Sequence, residues 1–381
     1  MKEILAEVES KVKELFNHLH NHPEISWEEV ETTNYIQQLL EEDFKIETFE
    51  DSTGLVASIG EGGPVVGLRT DIDALWQEVN GVYRANHSCG HDAHMSIVIG
   101  AMLVLKQLGY PKTGRLKVLF QPAEEKGTGA LSFVEKGLVD DVDYLYGLHL
   151  RPIQEMGHGY AAPALMHGAG KMLKGQIKGN DAHGARPHLG ENAIEVMSML
   201  VQAIHGIHVD PIVPHSAKVT MFQAGSDSPN IIPGTGVFSI DLRAQTNETM
   251  DVLMSKVDEA IQYVAKMKHV EITYERIAEI AAAEVHEEAV EMMQQAIIDT
   301  VGEDYLIPPV VTPGGEDFHY YTLKRPQVKA TMLGLGCDLA PGLHHPKMTF
   351  NHESLMIGVE ILVKTVLATF HHLEEGCHDS N

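Results

Sequence analysis

The sequence has little cysteine, little positive charge and no long apolar run. Its three cysteines are an odd number without framework spacing, so structural disulfides are not expected. Only 28 Lys and Arg face 54 Asp and Glu, and the net charge of -26 argues against nucleic acid and membranes as partners. The sequence contains no run of 18 apolar residues, so no membrane span is predicted. The first residues, "MKEILAEVESKVKELF", lack the apolar core of a signal peptide. We therefore expect a cytoplasmic protein.

The pattern along the chain predicts two domains, as its length of 381 residues also suggests. Up to residue 173 strands alternate with helices, which indicates an α/β sheet. Residues 174–284 follow the order β-α-β-β-α-β of a ferredoxin-like module. We expect this module to be inserted into a discontinuous catalytic domain of residues 1–173 and 285–381. Near the start, Ser26 and Glu29 predict a capping box for the second helix.

The stretch "HSCGHDAH", residues 87–94, contains many potential metal ligands and few packing residues. Cys89 could be a nucleophile with His91 or His94 as its base. Alternatively, Cys89 and His91 could bind a metal ion together with more distant residues. A helix is predicted to begin at this stretch, and its free amides favour a thiolate, which suits both chemistries.

Further candidate ligands follow three predicted strands. "QPAEE" contains Glu124 and Glu125, "YGLHL" contains His149, and "LHHP" contains His344 and His345. In open α/β sheets the carboxyl ends of the strands surround one crevice. A thiolate, imidazoles and a carboxylate suit zinc or a similar divalent ion. One glutamate could then bind metal while its neighbour holds the proton of a water molecule.

Nine motifs in order relate the chain to a known family: "HNHPEISWEE", "RTDIDAL", "HSCGHDAH", "QPAEEKGTGA", "YGLHL", "KGNDAHGARPHLG", "SPNIIPG", "GGEDFHYY" and "LHHPKMTF". Over nearly its whole length the chain resembles the two-metal aminoacylase and carboxypeptidase family. Within that family it resembles the amidohydrolase subgroup of hippurate hydrolases, N-acyl-amino-acid amidohydrolases and auxin–amino-acid conjugate hydrolases.

The resemblance implies a mixed-sheet, zinc-peptidase-like catalytic domain with an inserted ferredoxin-like lid and dimerisation domain, in a homodimer. It also implies two divalent metal ions per protomer. The thiolate and imidazoles favour zinc, with manganese, cobalt or nickel as alternatives. The expected reaction is hydrolysis of the amide bond of a small N-acyl amino acid or peptide-like conjugate, by a metal-activated water with a glutamate as general base.

The resemblance assigns roles residue by residue. Cys89 would bridge the two ions, and Glu124 would be the general base. The family pattern L-H-x-P selects His344 over His345. The remaining metal ligands would be His91, Glu125 and His149.

Four further residues lie in or beside the inserted module. In dimeric relatives the histidine matching His183 reaches the site of the neighbouring protomer and polarises the substrate carbonyl. Asn230 of "SPN" and Arg243 of "DLR" match residues that hold the substrate carboxylate. Gly315 of "GGED" matches a glycine whose backbone faces that carboxylate.

Three alternatives stay open at this point. An aminopeptidase or dipeptidase of the same fold would need a carboxylate for the free amine, and the sequence does not identify one. A catalytically silent binding protein would be favoured by loss of Glu124 or a ligand, yet all are present. A nucleophilic Cys89 would leave the glutamate pair and the distant histidines unexplained.

Asp71 and Asp73 alternate at a strand end, so one of them could orient a ligand histidine.

Overall fold

The computed structural model describes the backbone of residues 1–378 and the side chains of residues 1–375, so Cys377 lies outside the described side chains. The chain divides into two compact units. The first comprises residues 1–166, 284–310 and those from 317 onwards, and the second comprises residues 167–283 and 311–316.

Helices and strands alternate along much of the chain. The first half contains α1 (Lys2–Asn21), α2 (Val30–Leu40), β1 (Lys45–Thr48), β2 (Leu55–Glu61), β3 (Val65–Asp71), β4 (Leu75–Val79), β5 (Val82–Asn86), α3 (His91–Gln107), β6 (Gly114–Gln121), α4 (Gly129–Glu135), β7 (Tyr144–Pro152), β8 (Ala161–Ala162), β9 (Leu165–His167), β10 (Ala169–Lys178) and β11 (Ala182–His183). The second half contains α5 (Ala193–His205), β12 (His215–Ala224), β13 (Ile231–Ile232), β14 (Thr235–Ala244), α6 (Asn247–Lys268), β15 (Glu271–Ile280), α7 (Glu287–Val301), β16 (Val310–Thr312), α8 (His319–Lys324), β17 (Lys329–Leu339) and α9 (Ser354–His378).

The first unit is built on a seven-stranded sheet with the order β1-β2-β6-β3-β7-β17-β8. The central strands β6, β3, β7 and β17 run parallel, whereas β1, β2 and β8 pair antiparallel at the edges. All seven residues of β3 are buried, as expected for a strand covered on both faces. The mixed α/β architecture expected from the sequence is confirmed.

Apolar helices form the core of the first unit against this sheet. In α3 nearly every residue is buried, because α1, α9 and the sheet all contact it. Among the described residues, Ser354–Glu375 of α9 is long and apolar enough to cross a membrane, but 61% of the window tested is buried inside the protein. Such burial is typical of a core helix.

The second unit contains a four-stranded antiparallel sheet with the order β12-β14-β10-β15. The four strands and two helices follow the chain order β10, α5, β12, β14, α6, β15, and the short strands β11 and β13 pair with each other in a separate sheet. Alternate residues of β10 are buried, and they pack with the apolar faces of α5 and α6 into a separate core. Each unit therefore has a hydrophobic core of its own.

The capping box predicted at Ser26 is wrong. Helix α2 begins at Val30, and no side chain of its N-cap residue accepts a hydrogen bond there. The Ser26 hydroxyl donates instead to Asp73 at 2.6 Å. The carboxylate of Glu24 accepts two of the first amides of α2, at 3.1 and 2.7 Å. A contact with a distant residue has replaced the local cap, so the helix starts later than its sequence pattern predicts.

Candidate metal centre

The proposed ligands of the first unit come from the carboxyl-terminal side of its sheet. Cys89 lies two residues before α3, and His91 is the first residue of that helix. Glu124–Glu125 begin a short 3₁₀ turn after β6. His149 lies in β7, and His344 lies in the loop after β17. Because these parallel strands end at one edge, residues distant in sequence meet there.

Cys89 lies at the centre of the group. Its Sγ is 3.5 Å from Nε2 of His149 and 3.3 Å from Nε2 of His344. The same His344 nitrogen lies 3.5 Å from Oε1 of Glu125. Donor atoms about 2.0–2.3 Å from one ion can be no more than about 4–4.6 Å apart. These separations therefore fit shared coordination.

His91 and the two glutamates complete the group. The Nε2 of His91 lies 3.8 Å from Oε2 of Glu124 and 3.9 Å from Oε1 of Glu125. Both that nitrogen and Oε1 of Glu125 are buried and have no hydrogen-bond partner within the described part of the chain. Buried polar atoms without partners are costly. These two atoms face one cluster of sulfur, nitrogen and oxygen donors, an arrangement that fits a bound divalent cation.

Hydrogen bonds at the far side of two rings select the tautomer that a metal needs. Nδ1 of His91 lies 2.8 Å from the carbonyl oxygen of Asp73, and Nδ1 of His149 lies 2.7 Å from that of Leu150. Since a carbonyl only accepts, each Nδ1 carries the proton. In the neutral ring the lone pair is therefore on Nε2, the atom that faces the cluster.

His94 lies close by, but its ring is fully engaged. Its Nδ1 donates to Oδ1 of Asp71 at 2.8 Å, and its Nε2 accepts from the backbone amide of Leu150 at 3.0 Å. Neither nitrogen is left to deprotonate Cys89. His94 supports the ring of His149 indirectly: it accepts from the amide of Leu150, and the carbonyl of the same Leu150 orients His149.

The cysteine is not an activated nucleophile in this surrounding. Burial, together with the charge of Glu125, raises the pKa of the Cys89 thiol well above its usual value. The expected preference for a thiolate, argued from the helix amides alone, is wrong for the metal-free site. Desolvation and neighbouring carboxylates outweigh the helix terminus, so a thiolate at this position requires a cation beside it.

The charges of the cluster also fit a cation. Burial raises the pKa of Glu125 to about 7. Burial opposes a charge on His91, yet Asp71 and Cys89 still raise the pKa of its ring well above the usual value. The buried cluster thus contains several thiol and carboxyl groups, little positive charge and little contact with solvent. A divalent ion would satisfy all of them at once.

A buried polar network supports the cluster from the sheet side. Arg69 donates to Asp71 at 2.7 Å, to Asp317 at 2.8 Å and to Gln121 at 2.9 Å. Sequence reasoning considered Asp71 and Asp73 as supports but missed Arg69, Gln121 and Asp317. The available signal was the run "RTDID" at the end of an otherwise apolar strand, since charged residues there must find buried partners.

The loop that carries His344 is held by hydrogen bonds on both sides of that residue. His344 has a positive φ of 63°, which is uncommon for a residue other than glycine. Its amide donates to the carbonyl of Ser88 at 2.7 Å, next to Cys89. Gln77 donates to the carbonyl of His344 at 3.1 Å, and Asn86 to that of Pro346 at 3.4 Å. These bonds offset the backbone strain and direct the ring.

Gly90, between Cys89 and His91, has φ of 91°, and a Cβ there would lie 3.1 Å from Leu150. The left-handed φ favours glycine, and the short distance leaves little room for a side chain. The "CGH" triplet therefore has a structural reason: the turn lets two neighbouring side chains face the same cluster.

The other four predicted residues belong to the second unit. His183 and Asn230 lie near each other, because the amide of Gly184 donates to the carbonyl of Asn230 at 2.7 Å. Arg243 pairs with Asp241 through Nε at 3.0 Å. Gly315 lies in the short returning segment 311–316 of this unit. The side chains of His183, Asn230 and Arg243 are exposed.

Comparison with known proteins gives consistent matches over most of the chain. Residues 67–368 match the family described as peptidase family M20/M25/M40. The chain is 30% identical over 372 residues to N-acetyl-L-cysteine deacetylase of Bacillus subtilis (strain 168), covering 92% of this chain and 86% of that protein. It is 31% identical over 345 residues to a p-aminobenzoyl-glutamate hydrolase chain of Escherichia coli (strain K12), covering 83% and 76%.

A solved structure has the same fold. It is a dinuclear metal-binding peptidase from the M20 family of Bacillus subtilis, with a TM-score of 0.81 and 24% sequence identity. The alignment covers 97% of this chain and 99% of that one.

Proposed function

The chain belongs to peptidase family M20/M25/M40 and is a metal-dependent amidohydrolase, and we propose that it hydrolyses N-acyl amino acids or similar small amide conjugates. The resemblance inferred from the motifs is thereby confirmed. Both named relatives act on an amino acid whose nitrogen carries an acyl group, which supports this substrate class.

One observation carries the proposal: five side chains of metal-binding chemistry converge, and two of their buried donor atoms have no other partner in the described chain. Two groups of possible ligands share Cys89, one with His91 and His149 and the other with Glu125 and His344. Within each group the donor atoms lie within 4.8 Å of one another. This sharing supports two divalent ions with Cys89 between them. Zinc is the proposed metal, because thiolate and imidazole ligands favour it.

Glu124 is the proposed general base. When bound, the ions would supply Lewis-acid chemistry, lowering the pKa of water and polarising a carbonyl. Glu124 would accept the proton of the attacking water and deliver it to the leaving amine. Its side chain is buried at the edge of the cluster, 3.8 Å from His91. Its neighbour Glu125 reaches both rings, with Oε1 3.5 Å from Nε2 of His344 and 3.9 Å from Nε2 of His91.

The second unit is the proposed ferredoxin-like lid and dimerisation domain. Nδ1 of His183 accepts a hydrogen bond from the amide of Ala185 at 3.0 Å, so Nε2 carries the proton. That N–H would donate to the substrate carbonyl in a second copy of the chain. Strands β12 and β15 are edges of the sheet, and free edges support pairing between copies.

The substrate carboxylate would be held by residues of the same unit. Arg243 uses Nε and Nη2 on Asp241, at 3.0 Å each, which leaves its Nη1 edge for a carboxylate. Asn230 and the backbone of Gly315 would add neutral donors. A small anionic substrate fits this chemistry. Cytoplasmic location and the lack of nucleic-acid or membrane partners remain predictions from the sequence.

The test is a metal-reconstituted assay against N-acyl amino acids with different acyl groups, with free dipeptides as the competing class. Glu124→Gln keeps the shape of the side chain but cannot take up a proton. We expect bound metal to stay unchanged and kcat to fall by at least ~10². Glu47→Gln, an exposed position on β1, is the matched control. Unchanged turnover in the first variant would remove Glu124 from the mechanism, and faster cleavage of dipeptides would favour a dipeptidase.

A further inference from the structure

The segment Glu24–Glu29, which we call the connecting segment, joins α1 to α2 and belongs to the motif "HNHPEISWEE". This motif has no assigned role in the proposed chemistry. The segment runs beside the residues after β3, because Ile25 pairs with Ala74 and the amide of Ala74 donates to the carbonyl of Glu24 at 2.7 Å. It therefore reaches the ligand edge of the sheet.

Three hydrogen bonds join the connecting segment to residues 123–128, which we call the glutamate turn. The amide of Ala123 donates to Oε1 of Glu29 at 2.9 Å. The ammonium group of Lys126 donates to the carbonyl of Ser26 at 3.1 Å. The indole of Trp27 donates to the Thr128 hydroxyl at 3.1 Å. The turn is thus held at its beginning, middle and end.

The bond to Ala123 is the most consequential of the three. Ala123 has φ of 53°, in the left-handed region, which is unfavourable for a residue other than glycine. It directly precedes Glu124, so its conformation sets the direction of that side chain. Glu29 is fully buried, and its other oxygen accepts from the Thr53 hydroxyl at 2.6 Å. A buried carboxylate that accepts one hydrogen bond on each oxygen is held in a fixed orientation, so it is a rigid acceptor for the Ala123 amide.

Ser26 reaches the same turn through Asp73. Its hydroxyl donates to Oδ2 of Asp73 at 2.6 Å, and the amide of Glu125 donates to that oxygen at 3.1 Å. The other oxygen of Asp73 lies 3.2 Å from Nδ1 of His91. One serine hydroxyl thus fixes a carboxylate that contacts two proposed ligands.

We propose that the connecting segment is a positioning element for the glutamate turn: Glu29 fixes Ala123 and thereby aims Glu124, and Ser26 fixes Asp73 and thereby aims Glu125 and His91. The inference rests on the roles assigned to these residues under the proposed function. Residues that support metal ligands from behind typically change metal affinity or activity by about 10–100-fold when they are removed.

The experiment measures Zn²⁺ affinity of the full chain by competition with a chromophoric chelator, and kcat and KM on the best substrate of the panel. Glu29→Ala and Ser26→Ala should each weaken Zn²⁺ binding by about 10–100-fold, because the first loosens the turn that also carries Glu125 and the second frees Asp73 behind Glu125 and His91. Glu29→Ala should also lower kcat with little change in KM, because the proposed substrate contacts lie in the second unit. Glu29→Gln should recover most of the loss, since its amide oxygen can accept from Ala123 while its NH₂ donates to Thr53.

Thr53→Val is the matched control, because it removes the other partner of the same carboxylate without touching the glutamate turn. It should leave Zn²⁺ affinity near the wild-type value. Wild-type affinity in both alanine variants would overturn the proposal, and so would an equal loss in Thr53→Val. If Glu29→Ala does not fold, Ser26→Ala, which loses a single hydroxyl, decides alone. If the wild type hydrolyses no substrate but the variants lose zinc, the proposed function fails while the positioning role stands.

Discussion

The buried pair of Arg69 and Asp71 gives the sharpest prediction about the scaffold behind the metal centre. Both side chains are fully buried, and they are joined at 2.7 Å. In Asp71→Asn the guanidinium loses the charge of one of its partners. Breaking a buried pair in this way costs ~3–5 kcal/mol, and the remaining bond to Asp317 places this case at about 3 kcal/mol.

A second cost comes from His94. Asp71 accepts the Nδ1 proton of His94, whose Nε2 accepts the amide of Leu150. If an asparagine presents its NH₂ to Nδ1, two donors oppose each other, and one buried donor stays unsatisfied for about 1–3 kcal/mol. The expected total is about 4–6 kcal/mol.

The assay is urea denaturation in the presence of a chelator, so that metal binding does not contribute to stability. With an m-value of about 3 kcal/mol/M, the midpoint should fall by about 1.3–2 M. Asp141→Asn is the control: Asp141 pairs with Lys117 at 2.8 Å, and its side chain is 44% exposed. Exposed pairs contribute ~1 kcal/mol or less, so the control should shift little. Equal midpoints for the two variants would refute the reasoning.

Two further predictions concern Cys89 and His319. Iodoacetamide should label Cys89 only after the metal is removed by a chelator, and faster at alkaline pH, because burial raises the pKa of its thiol. Peptide mapping measures the labelling, with the buried Cys337 as reference. Rapid labelling of the metal-loaded protein at neutral pH would instead indicate a nucleophile. Burial lowers the pKa of His319 from 6.5 to about 3. Between pH 6.5 and pH 3 the unfolded chain therefore binds a proton at this histidine that the folded chain does not bind. As the pH falls through that range, the free energy of unfolding decreases by ~1.4 kcal/mol per pH unit, whereas above pH 6.5 this effect is absent. His319→Gln should show a flatter decline in urea midpoint between pH 6.5 and 5, and identical slopes would contradict the assignment.

The sequence could indicate the candidate ligands because their chemistry is local. Histidine, cysteine and glutamate placed at the ends of predicted strands have few reasons to be there other than a site. The alternation of strands and helices also indicated the mixed sheet, since periodicity follows from which faces are buried. It did not indicate that segment 311–316, with Gly315, would join the second unit.

Roles that depend on distant partners could not be read from the pattern. Ser26 has the position of a helix cap, yet its hydroxyl bonds Asp73, 47 residues away. His94 looks like a ligand or a base, yet both of its nitrogens are occupied. Helix amides predict a thiolate at Cys89, but burial beside Glu125 reverses that preference when no cation is present.

The sequence by itself determined which side chains are candidates for the metal chemistry and on which kinds of element they lie, because residue type and hydrophobic period are local properties. Only the tertiary structure decided which nitrogen of each histidine faces the cluster, which atoms stay without partners, and which residues hold the turn of Glu124 and Glu125. Hydrogen bonding and desolvation depend on all the neighbours in space, and those neighbours come from every part of the first unit.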